Sequence, residues 1–306
     1  FCCSNYLAYA YPIETGDQTM PLISKDKLVQ QILKQMVFIP SATYKMGTDN
    51  PKFFGMDGNA HVHEVHLDGF YISKHLISAT DYKSFLTIQG EFEHLKKADD
   101  DLSFNNKPTA DTWSRAHRFC KWLRKQTGLP FSLPSEAQWE YVARSGDKNY
   151  DYPTQNGKLE VGKNYPDLEQ VMVMWYGQVA PVPLSIKDIP VNALGVHQMG
   201  GNAREWMTDW YKKDYYWHSR RNNPEGPQHF VGSKTYKFQV KHMLAPQKVV
   251  RGASNEELTF GCHDKDIPCQ QKRLLRYGHN YWRASAPKTN NSIDSEGFRC
   301  VINGDQ

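Results

Sequence analysis

Large rings and chain-breaking residues constrain this sequence most: eight Trp, seventeen Tyr and fourteen Phe stand beside 21 Gly and 17 Pro in 306 residues. Glycine and proline interrupt helices and central strands, while each buried aromatic ring removes a large area from water. Such a chain packs rings between many turns and has few long regular elements. The length is about twice that of a common ~150-residue domain, yet no repeat, linker or composition break divides it. The reading is one large domain over 36–304, preceded by an N-terminal segment, 1–35.

Charge and hydropathy narrow the function classes. Thirty-seven Lys and Arg against 33 Asp and Glu are too nearly balanced to mark a nucleic-acid or membrane-surface binder. No apolar run reaches the roughly 18 residues of a spanning helix.

The N-terminal stretch FCCSNYLAYA ends in Ala8-Tyr9-Ala10, small residues at the spacing signal peptidase accepts. Residues 1–10 are read as a signal remnant with cleavage after Ala10, giving a periplasmic or secreted protein. A lipid anchor on Cys2 or Cys3 and an ordinary N-terminal tail are the other readings. Cys120, Cys262, Cys269 and Cys300 then remain. Their even number permits two disulfides in an oxidising compartment, with buried free thiols as the alternative.

Periodicity predicts the elements. Leu28, Ile32 and Leu33 fall at helical spacing between Lys25 and Met36, so this helix should dock on the body. MVFIPSATYKMG reads as two strands around a Pro break. In HVHEVHLDGFYIS, Val62, Glu64 and His66 face one way and His61, His63, Val65 and Leu67 the other. Thr80 is expected to cap a helix ended by Gly90. Thr112 or Asp111 should cap a second, which carries Trp113, Ala116, Phe119, Cys120 and Leu123 in one stripe and stops at Gly128. Ser135 and Gln138 form a capping-box pattern opening a third. After about residue 150 the chain reads as loop-rich.

Four ordered segments carry a family resemblance. They are MVFIPSATYKMG (36–47) with HEVHLDGFYISKHLISATDYKSF (63–85), AHRFCKWLRKQTGLPFSLPSEAQWEYVARSG (116–146), GVHQMGGNAREWMTDWY (195–211), and VVRGAS (249–254) with EGFRC (296–300). Together they resemble the formylglycine-generating-enzyme family, the sulfatase-modifying factors. The resemblance implies a large, irregular α+β fold related to C-type lectins, with low regular secondary structure. Trp139, Trp206 and Trp210 are read as buried scaffold anchors.

The chemistry departs from the family pattern. Copper-dependent members carry two cysteines, three and eight residues beyond the Ser of an Arg-Gly-Gly-Ser motif, whose thiolates hold Cu(I). Here the motif is Arg251-Gly252-Ala253-Ser254, followed at those positions by Glu257 and Cys262. A hard carboxylate is a poor Cu(I) ligand, so copper is disfavoured. Cys262 and Cys269 are read as a local disulfide closing a short loop; a metal site with His263 and Asp264 is the alternative. The resemblance implies a Cys120–Cys300 disulfide, because both match family positions bridged in some members.

It also implies a calcium loop, in which Gln198, Gly201, Ala203 and Glu205 stand for an Asn side chain, two carbonyls and a carboxylate. A tight turn with Glu205 paired to an arginine is the other reading. Ser254, Asn255, Glu257, Arg283 and Arg299 would cluster near the family's substrate groove, where the arginines can hold a carboxylate or peptide backbone; for Arg299, anchoring the fold is the other reading. Of His61, His63 and His66, the first two share a strand face at a spacing that zinc sites use, but no third ligand is identifiable and they are read as structural.

The functional expectation is an exported member without the orthodox copper site that binds a peptide or protein partner, in an accessory or immunity-type role. The aromatic, basic stretch 212–248 supplies a candidate interaction loop. The alternative is a copper-independent oxidase of periplasmic maturation, similar to pyoverdine-maturation relatives, with Glu257 as acid/base and Cys262 as redox group. A residual formylglycine generator is disfavoured by Glu257.

Overall fold

The computed structural model describes residues 23–50, 61–91, 106–160, 163–165, 172–175, 178–181, 191–228, 246–254, 267–287 and 296–304. Helix α1 (Lys25–Lys34) leads directly into strand β1 (Met36–Ile39). It buries Leu28, Val29 and Ile32 in the main core, docking as its periodicity predicts. The helix of the N-terminal segment is thus an integral part of the packing.

Strands β2 (Ala42–Met46) and β3 (His63–Leu67) form an antiparallel pair. Val65 and Leu67 point inward and Glu64 outward, as the alternation requires. After β4 (Phe70–Ser73) comes α2 (Ala79–Ile88). Its cap is Ser78 rather than the expected Thr80: the Ser78 Oγ accepts from the Asp81 N–H at 3.1 Å, and Thr80 lies inside the first turn. The Asp81 carboxylate accepts in return from the Ser78 hydroxyl, 2.9 Å away. That reciprocal contact fixes the start two residues earlier.

Helix α3 (Trp113–Thr127) buries the predicted stripe of Ala116, Phe119, Cys120 and Leu123. Thr112 occupies its cap position without a side-chain cap bond, and the Asp111 carboxylate accepts from the Thr112 N–H at 2.7 Å. Gly128, at φ +74°, supplies the left-handed residue that stops the helix. Strand β5 (Phe131–Ser132) then feeds α4 (Glu136–Ala143). Both halves of the Ser135/Gln138 capping box are formed.

The second half is more regular than its sequence suggests. It contains β6 (Met172–Trp175), β7 (Gln178–Pro181), β8 (Arg204–Trp210), β9 (Gln247–Arg251), the helix α5 (Ile267–Tyr277), β10 (Arg283–Pro287), β11 (Glu296–Gly297) and β12 (Val301–Ile302). Strand β8 escaped the pattern reading for a physical reason. Glu205, Trp206 and Met207 are buried in succession, which breaks the alternation over the first half of the strand.

Two four-stranded sheets organise the molecule, in orders β1-β4-β12-β5 and β10-β9-β8-β11. One core packs α1, α2 and α3 with Trp206, Val250 and Phe298. The other packs α4 with Ile39, Val65, Ile72, Met207 and Val301. The Cys120–Cys300 disulfide is present, with Cα atoms 5.8 Å apart. It ties α3 to the segment entering β12. Among the described residues no helix is long and apolar enough to cross a membrane.

Candidate functional site

The Arg251–Ser254 turn and the Met199–Ala203 loop, read from sequence as separate motifs, lie against each other. Gly252 has φ +74°, and a Cβ there would meet the Met199 carbonyl at 3.0 Å and the Trp139 ring at 3.5 Å. Glycine serves both the left-handed conformation and the close approach. Gly200 and Gly201 permit a second close approach: Cβ atoms on them would collide with Pro153 and with the Tyr165 hydroxyl. Ala253 packs with Leu159 and Tyr165. Beside Gly200 and Gly201 lies a cavity of ≈ 10 Å³, lined in part by Pro153, Tyr165, Gln198, Gly201 and Gly278. That volume holds about one water, so any larger ligand must lie across its mouth.

Beneath the turn is a buried charge network. The guanidinium of Arg251 donates to Glu136 Oε1 at 2.7 Å, to Glu140 Oε2 at 2.8 Å and to the Asn280 carbonyl at 2.6 Å. Arg283 Nε donates to the same Glu136 oxygen at 2.7 Å, and the Tyr216 hydroxyl donates to it as well, at 3.1 Å. Glu140 Oε1 also accepts from Arg144 at 3.0 Å and from the Gly47 N–H at 2.8 Å. Burial works to raise the Glu136 pKa, but Arg283 and Arg251 outweigh it and hold the carboxyl below its usual range. Next to it, Asp209 accepts from the Glu136 N–H at 2.8 Å. Burial and then the charge of Glu136 push its carboxyl up to about 7.

Both arginines of the groove reading lie inside the packing. Arg283 and Arg299 are 1% and 0% exposed, and each is engaged by a buried carboxylate, so neither is offered to a ligand. Arg283 belongs to the network described above. Arg299 donates to Glu205 through Nε at 2.6 Å and Nη2 at 2.8 Å, and to the carbonyls of Ser73 and His197.

That pairing also bears on the calcium reading. Glu205 is fully buried and both its oxygens accept from Arg299. The guanidinium already balances the carboxylate, leaving a calcium ion no net negative charge among Gln198, Gly201, Ala203 and Glu205. Calcium favours anionic oxygen sets, so these residues do not fit the ion, and the tight-turn reading accounts for them. Gln198 is buried at φ +65° within this turn.

Ser254 is buried at the end of its turn, whereas Asn255, Glu257 and Cys262 lie outside the described residues. Cys269 is disulfide-bonded; Cys262, its expected partner, is again outside them. The expectation on copper rests on the sequence, where Glu257 stands at a position that holds a thiolate in copper-dependent members. The histidines serve packing: His66 meets Thr43 at 2.9 Å, His63 packs on Tyr216, and His61 stacks on Trp217. Trp139 and Trp206 are buried anchors, while Trp210 is only half-buried and holds Lys248 against its face.

Sequence reasoning missed Glu136, Glu140, Arg144, Asp209 and Arg251. The available signal was the four-residue spacing of Glu136, Glu140 and Arg144, which places them on one helical face.

An irregular α+β domain with a buried Arg-Glu network beneath an Arg-Gly-x-Ser turn defines the class of scaffold. The sulfatase-modifying factor enzyme 1-like domain matches residues 22–304, and the chain belongs to this family. It is 26% identical over 251 residues to the formylglycine-generating enzyme of Mus musculus, a match covering 64% of this chain and 63% of that protein. The chain thus spans under two thirds of the length of that relative. Against the formylglycine-generating enzyme of Thermomonospora curvata, identity is 25% over 330 residues, covering 89% of this chain and 94% of the relative. The structure of PvdO from Pseudomonas aeruginosa shares the fold at a TM-score of 0.58 and 19% identity, covering 88% of this chain and 94% of that one.

Proposed function

We propose that this chain is a family member without the orthodox copper reaction, which binds a peptide or protein segment outside the cytoplasm in an accessory or immunity-type role. The observation that carries the reading is Glu257, standing where copper-dependent relatives need a thiolate. The disulfide state of Cys269 supports it, because a bridge to Cys262 would consume the remaining candidate copper ligand. The Cys120–Cys300 disulfide supports an oxidising compartment. The rigid turn and network suit a scaffold that presents loops to a partner.

The test pairs metal analysis and Cu(I) titration with oxygen uptake over a panel of thiol peptides, and a peptide-array binding assay. Peptide retention without stoichiometric copper or peptide-dependent oxygen consumption is expected. Stoichiometric copper with thiol-dependent oxygen uptake would overturn the reading.

A further inference from the structure

Among the described residues, Trp217 is the most exposed of the large apolar side chains, at 68%. It is not a loose side chain on a free loop. A 3₁₀ turn, Tyr215–Trp217, buries Tyr215 and Tyr216 and turns the indole outward. The His218 N–H donates back to the Tyr215 carbonyl at 2.8 Å. Beyond the turn the chain is pinned to β3: the His66 N–H donates to Arg221 O at 2.7 Å, and the Asn223 N–H to His66 O at 2.8 Å. From the other side His61 stacks on the indole, with centroids 3.7 Å apart and planes 18° from parallel.

A rigid aromatic that keeps most of its surface in water loses little conformational freedom when a partner covers it. Anchors of this kind dominate binding energy in protein interfaces. The flanks set the sign of the partner. Lys212, Lys213, Arg220 and Arg221 lie within ten residues of sequence that contain one carboxylate, Asp214. Three of the cations, Lys213, Arg220 and Arg221, are exposed; Arg221 meets Glu64 at 2.6 Å and Lys212 meets Asp214 at 3.1 Å, so the four cations exceed these two carboxylates by two.

We propose that the Trp217–His61 stack, with its basic flanks, is a docking surface for an acidic peptide segment bearing an aromatic ring, which lies on the indole while its carboxylates meet the cations. This rests on the peptide-binding reading above and names the partner's chemistry and the surface that takes it.

The probes are three amidated peptides, EDEYEDE, EDEAEDE and KRKYKRK, titrated against the intact chain. EDEYEDE should bind best, and its affinity should fall as salt screens the flanks. Trp217→Ala should weaken it about tenfold or more, Trp217→Phe less, and Arg220→Glu should weaken it while steepening no other property of the fold. Unfolding midpoints should be close to wild type, since the substituted side chains are exposed. Equal binding by Trp217→Ala and wild type, or of the basic and acidic peptides, would overturn the proposal. If peptides on the array still bind Trp217→Ala at full strength, only this surface is wrong. If wild type binds none of the three and nothing on the array, the peptide-binding reading falls with it.

Discussion

Arg251 and Glu136 meet at 2.7 Å with side chains 0% and 2% exposed. The pair joins the end of β9 to the first residue of α4 and anchors the turn that begins at Arg251. Burying such charges is costly, and removing one partner leaves the others unpaired in a low-dielectric interior. Glu136→Ala removes the carboxylate of Arg283 and leaves Arg251 with Glu140 alone. It should cost about 3–5 kcal/mol, read as a lower denaturant midpoint; a loss within the range of a surface substitution would show that the network is dispensable.

Replacing both Cys120 and Cys300 with Ser should destabilise the protein by about 2–5 kcal/mol. The bridge closes a sequence separation of 180 residues between two fully buried positions. Equilibrium unfolding of the variant should show this loss and reduced wild type at least as large a one, because reduction also opens the Cys269 disulfide; an unchanged midpoint in both would refute the expectation.

Stability should carry a pH signature from Asp209. Burial, then the charge of Glu136, raise its carboxyl to about 7 from 3.8. The folded state therefore holds a proton that the unfolded state releases. The stability this contributes is complete below about pH 4 and is lost as pH rises toward 7, at no more than about 1.4 kcal/mol per unit. His279 acts oppositely: burial and the Arg251 charge lower it to about 3, so acidification below its ordinary 6.5 destabilises the fold. Glu136, held below its usual range, likewise favours the fold at higher pH. Asp209→Asn isolates the first effect. Its unfolding free energy should gain on wild type as pH rises from 4 to 7, and parallel profiles would sink the assignment.

Gly201→Ala should cost about 1–3 kcal/mol, because the new methyl falls on Tyr165. Tyr165→Ala vacates that space. The double variant should lose less than the two single losses combined; strict additivity would mean that the contact does not govern this site.

Legibility followed the range of the interaction. The stripe of α3, its stop at Gly128 and the Ser135/Gln138 capping box are local, and each was readable within one or two turns of chain. The Cys120–Cys300 bridge was readable only through resemblance. At α2 two hydroxyls competed for the cap, and Ser78 prevails because Asp81 answers it three residues on. The charge network was not legible. Spacing puts Glu136, Glu140 and Arg144 on one face, but Arg251 lies 115 residues beyond Glu136. Nothing local distinguishes such a face from one that meets water. The surroundings of Arg283 and Arg299 were hidden for the same reason: an arginine's type announces anion binding, while its burial decides whether the anion is a ligand or the protein's own carboxylate.

Strand β12 lies between β4 and β5, pairing with both, although it comprises residues 301–302. The centre of the first sheet is thus supplied by the final strand of the fold. During synthesis, β1, β4 and β5 all leave the ribosome with their middle position vacant, and Cys120 must wait for Cys300. The first sheet consequently cannot close before residues 301–302 are available, and exposed strand edges and a reduced thiol depend on protection until the chain has been made that far.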